Sequence, residues 1–113
     1  MWRDFAWILD MLQASQKVLE YARGLSELEF RTSGLHHDAV LRQLTVVGEA
    51  AKRVSAEFRV SHPEVPWRQV AGFRDVVVHD YSRVDLQEVW RIVQEDLPTL
   101  VTLLEPLIPP EEA

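Results

Sequence analysis

The stretch RDVVVHDY, Arg74 to Tyr81, decides how this 113-residue chain folds. Its three consecutive valines read either as a short buried strand or as the inner face of a helix. Valine is a mediocre helix former but does not break helices. No second strand-like run occurs elsewhere in the sequence, and a lone strand has nothing to pair with. The stretch therefore predicts a helix.

Working outward, the rest of the chain repeats the helical period. Val40, Leu44, Val47, Ala51, Val54 and Phe58 step by four and three, and so do Leu86, Trp90, Val93, Leu97, Leu100 and Leu104. Phe5, Ile8, Leu12, Leu19 and Ala22 form a third stripe, with Ser15 in the missing position. Each is the narrow apolar seam of a helix in a bundle. The punctuation agrees. Gly24 stops the first helix, and the SELE of Ser26 to Glu29 reads as a capping box opening a short one. Ser33 and Gly34 precede a second long helix, expected to run until Pro63 and Pro66 end it. Trp67 begins a third helix that continues through the valines. Asp85 with Glu88 caps the last helix, in which Pro98 predicts a kink. The expectation is an all-α, up-and-down four-helix bundle with one short extra helix. It forms a single domain over 1–113, of which 106–113 is a Pro-rich acidic tail.

The chain has no cysteine, which excludes disulfides and thiolate metal sites. No apolar run approaches the ~20 residues of a membrane span, and MWRDFAW lacks the layout of a signal peptide, so the expected location is cytoplasmic. The net charge of −6 argues against a general nucleic-acid coat. The acidity lies at the ends, however: residues 31–91 hold nine Lys or Arg against eight Asp or Glu. A focused phosphate site in the centre is compatible with that distribution; a broad basic footprint is not.

At about 100° per residue, Tyr81 returns to the direction of Arg74, while Asp75 and His79 occupy an adjoining arc. Val70, Phe73, Val76 and Val77 lie opposite, toward the bundle. Ala71 and Gly72 share the polar arc, where small residues let another surface approach. Asp75 and His79 are an i, i+4 pair, so the carboxylate reaches the imidazole and orients it. Arg74 is a permanent cation with a planar fork suited to phosphate oxygens. Tyr81 adds a hydroxyl and a stacking ring. These are parts for phosphoryl-transfer chemistry without a metal. The competing reading is a core histidine beside a solvated charged face.

The same residues carry a resemblance. RDVVVHDY is similar to the R-x4-H-x-Y motif of HEPN-domain ribonucleases. With VVGEAAKRVS, HPEVPWRQVAGFRDVVVHDY and VDLQEVWRIVQEDLP in this order, nearly the full chain resembles the HepT-like toxins of HepT/MNT toxin–antitoxin systems. The resemblance implies a homodimer whose two motifs line a shared cleft. It implies metal-independent RNA cleavage with Arg74 and His79 as catalytic residues, Asp75 supporting and no cofactor. It also implies a type VII system, in which a nucleotidyltransferase antitoxin AMPylates Tyr81. The alternative is a non-catalytic HEPN module that binds such a partner or a nucleotide; a plain dimerisation bundle is a third reading.

Other groups read more simply. His36 and His37 adjoin Asp38, but neighbouring histidines on a helix diverge and no Glu-x-x-His pair completes a metal site, so no metal is expected. Glu49 reads as a partner of Arg74 or Lys52, or as a solvated residue. Lys52, Arg53 and Arg59 read as a charged helical face, and the tryptophans as core or interface. No Gly-rich phosphate loop occurs.

Overall fold

The computed structural model describes residues 2–78 and 84–110. Those residues form helices joined by short turns, with no strand among them. Helix α1 spans Trp2–Ala22 and buries Ile8, Met11, Leu12, Val18 and Ala22. Ser15, in the same seam, is fully buried. Gly24 ends α1 at φ 77°, a left-handed conformation that glycine enters without a Cβ penalty. The short helix α2, Glu27–Thr32, opens on the expected capping box: Ser26 Oγ accepts from the Glu29 N–H at 3.1 Å, and a Glu29 carboxylate oxygen accepts from the Ser26 N–H at 2.8 Å. The bond from the Ser26 N–H, then that from its hydroxyl, hold the Glu29 carboxyl below its ordinary pKa.

Helix α3, Gly34–Arg53, lies along α1 over most of its length. Its stripe of Val40, Leu44, Val47 and Ala51 is buried, and so are Val54 and Phe58. The single helix expected across this stretch is nevertheless two, because the chain turns extended at Val54 and Ser55 and restarts as α4, Ala56–Ser61. Asp4 causes the break. Its carboxylate, buried at the start of α1, accepts from both the Ser55 backbone N–H and the Ser55 hydroxyl, each at 2.8 Å. Ser55 Oγ in turn accepts from the Phe58 N–H and caps α4. A buried carboxylate must find donors, and an interrupted helix supplies them without moving Val54 or Phe58 off the core.

The third helix is also divided, into α5, Trp67–Ala71, and α6, Phe73–Val78, with a bend at Gly72. Hydrogen bonding continues through the bend: the Gly72 N–H donates to the Arg68 and Gln69 carbonyls, and the Gly72 carbonyl accepts from Asp75 and Val76. The valine run is helical, with Val70 and Phe73 buried and Val76 and Val77 packed against the core. Trp67 anchors α5, its indole N–H donating to the His62 carbonyl at 2.9 Å.

The last helix begins at its Asp85 cap as α7, Leu86–Arg91. It widens into a π-helical turn over Ile92–Asp96 and resumes as α8, Leu97–Leu104. The kink expected at Pro98 takes this form. Proline has no N–H, so the carbonyl four residues before it loses its donor. The wider turn shifts the bonding there, and the Leu97 N–H reaches back to the Ile92 carbonyl. A 3₁₀ turn at Glu105–Leu107 follows, and Ile108 beyond it is buried.

Candidate active site

Helices α5 and α6 meet α3 where both are narrow. A Cβ on Gly48 would lie 2.8 Å from the Arg74 backbone nitrogen, 3.0 Å from Arg74 Cβ and 3.2 Å from the Ala71 carbonyl oxygen. Only glycine lets the two backbones approach this closely. Ala71, only partly buried, packs against the core, and its carbonyl faces Gly48 within the same chain.

The contact brings charged side chains of α3 onto the first residues of α6. Arg74 pairs through Nε with Glu49 Oε1 at 2.6 Å, both side chains remaining about two-fifths exposed. One turn along α3, Lys52 Nζ lies 3.9 Å from Asp75 Oδ1. Of the partners open to Glu49, the fold selects Arg74. Two further site residues, His79 and Tyr81, lie outside the described residues, as does the Asp75–His79 pairing that the helical spacing suggests. Among the described residues, the site consists of a half-exposed guanidinium and the carboxylate that holds it, flanked by the Lys52–Asp75 pair.

Beyond Glu49, the groove between α1 and α3 opens into a cleft of about 300 Å³ lined by Trp7, Asp10, Arg42, Thr45 and Arg53. The Arg53 guanidinium covers the Trp7 ring at 5.2 Å, so that cation is partly committed to the aromatic face. The neighbouring histidines turn apart. His36 Nδ1 lies 2.6 Å from Ser33 Oγ, whereas the His37 ring packs edge-on against Phe30.

One polar cluster was not legible beforehand. Asp96, inside the π-helical turn, accepts from Arg91 through both oxygens, at 3.2 and 3.0 Å, and from Gln69 of α5 at 3.1 Å. Arg91 also donates twice to Glu88. Glu88, then Asp96, stabilise the charged guanidinium and raise its pKa. The cluster ties the last helix to the helix preceding the motif. No periodic signal marks it, because Asp96 reaches Gln69 only through the register shift of the π turn.

The all-helical bundle, with Arg74 on the bent third helix, agrees with the HEPN class that the motif resembles. The chain belongs to the HepT-like ribonucleases: the model of the family described as "Ribonuclease HepT-like" matches residues 11–107. It is 35% identical over 101 residues to the "Probable ribonuclease HepT" of Thermococcus cleftensis, spanning 89% of this chain and 92% of that protein. It is 33% identical over 95 residues to "Putative RNase MJ1380" of Methanocaldococcus jannaschii, spanning 84% and 87% respectively. No solved structure matches the chain.

Proposed function

We propose that the chain is a metal-independent endoribonuclease acting as the toxin of a toxin–antitoxin pair. The observation that carries this reading is the placement of Arg74. At the first position of the motif, in a chain of the HepT-like ribonuclease family, its guanidinium is braced on α3 and still half exposed. A fixed, solvent-facing fork suits the non-bridging oxygens of a phosphodiester.

In the proposed reaction a ribose 2′-hydroxyl attacks the adjacent phosphorus. His79 takes the hydroxyl proton, and Arg74 stabilises the charged phosphorane. The bond from phosphorus to the 5′-oxygen breaks, and that oxygen leaves with a proton. The products are a 2′,3′-cyclic phosphate and a 5′-hydroxyl. Two facing copies of the motif in a homodimer bring together groups that diverge around a single helix.

The test is cleavage of a single-stranded RNA by the purified protein. Arg74→Ala and His79→Ala are each expected to abolish cleavage while far-ultraviolet circular dichroism stays unchanged. Cleavage is expected to continue in EDTA. Loss of activity on chelation, restored by Mg²⁺, would overturn the mechanism.

The partner in this reading is a nucleotidyltransferase that transfers AMP from ATP to the Tyr81 hydroxyl, releasing pyrophosphate. The attached phosphate sets a negative charge near Arg74 and fills space that RNA needs. Incubation with the antitoxin and ATP should add the mass of AMP to the intact protein. Tyr81→Phe should gain none and should stay toxic; an AMP adduct on that variant places the acceptor elsewhere.

A further inference from the structure

Arg74 is held at two points by two consecutive residues of α3. Gly48 receives its backbone: the space a Cβ would need there is filled by the Arg74 nitrogen and Cβ. Glu49 receives its side chain, and it does so at Nε rather than at the end of the fork. That choice of nitrogen has a chemical consequence. A guanidinium carries five N–H donors in a rigid plane. A carboxylate on Nε takes the donor nearest the side-chain stem, and the other four N–H groups belong to the two Nη nitrogens at the end edge of the plane. The end edge is suited to grip two oxygens of one phosphate.

The pair contributes little to the fold. Both partners are substantially exposed, and exposed ion pairs add little to stability. A residue that adds so little stability yet fixes the direction of a functional cation has its main effect on orientation. The neighbouring contact has the same sense: Lys52 stands near Asp75 and offsets its charge beside the site.

We propose that Glu49 is the positioning residue of Arg74. It holds Nε so that the Nη edge meets the scissile phosphate in the orientation that the transition state requires. The proposal rests on the ribonuclease reading, and it excludes the opposite role, in which Glu49 competes with phosphate for Arg74 and restrains cleavage.

The experiment uses the full chain and a defined RNA oligonucleotide. Glu49→Gln and Glu49→Ala are expected to lower kcat by about ten- to a hundredfold, the range that misplacement of a catalytic group produces. KM and thermal stability should change little. In an Arg74→Lys background, which keeps a cation but has no guanidinium Nε, the Glu49 substitutions should have no further effect on the residual cleavage. An equal loss in that background, or faster cleavage by Glu49→Gln, overturns the proposal. A second measurement does not depend on catalysis. The Arg74 Nε–H resonance, assigned by its absence in Arg74→Lys, should shift on Glu49→Gln; a resonance that stays in place overturns the proposal whatever the RNA assay shows. If the resonance shifts while the unmodified protein cleaves no RNA, the Glu49–Arg74 pairing is upheld and the ribonuclease reading is the part that fails.

Discussion

A guanidinium on an exposed helical turn has many rotamers, and most of them are useless to a bound phosphate. Arg74 escapes this dilution because α3 holds it at backbone and side chain together. The same economy appears at Glu29, whose carboxylate closes the capping box on Ser26. That bond lowers the folded-state pKa below the ordinary carboxylate value, so the ionised form favours the folded state. The contribution is therefore present above the unfolded pKa of about 4.3 and is lost as the pH falls through the lower folded value. Glu29→Gln should be less stable than the unmodified chain near neutral pH, and the gap should close in acid. Urea melts across a pH series measure this; a gap that persists undiminished in acid would count against the capping account.

Among elements, the contact between α3 and α6 is set by what is missing from Gly48. In a free helix, Gly48→Ala would gain roughly 1 kcal/mol of propensity. Here the new methyl meets backbone atoms at 2.8 and 3.2 Å, which do not move aside as a flexible side chain does. Overpacking of this kind costs about 1–3 kcal/mol, so the net effect should be a lower melting temperature. Because the strain falls on the Arg74 backbone, cleavage should drop as well. A variant that melts higher and cleaves normally would show that α6 can lift away without consequence. The π-helical turn is the second decision made between elements. Pro98 demanded some irregularity, and the turn that results also delivers Asp96 to Gln69 and Arg91.

At the scale of the whole molecule, the helices enclose one continuous core running from Ile8 to Ile108. No helix among the described residues is long and apolar enough to cross a membrane. The homodimer belongs to the proposed function, and light scattering should give about twice the 13.1 kDa of one chain. A stable monomer at micromolar concentration would remove the shared cleft from that reading. The sequence by itself determined the helical class, the buried seams and most helix ends, because periodicity and capping are local: each depends on residues within a few positions of one another. It also supplied the motif that marks Arg74. The tertiary structure alone decided where long helices break and which partner a charge takes. The interruption at Ser55 follows from Asp4, fifty-one positions away, and the pairing of Glu49 follows from the meeting of two helices at Gly48. Such choices are made by donors and carboxylates brought close only on folding; at Asp4 an unpaired buried group costs more than an interrupted helix.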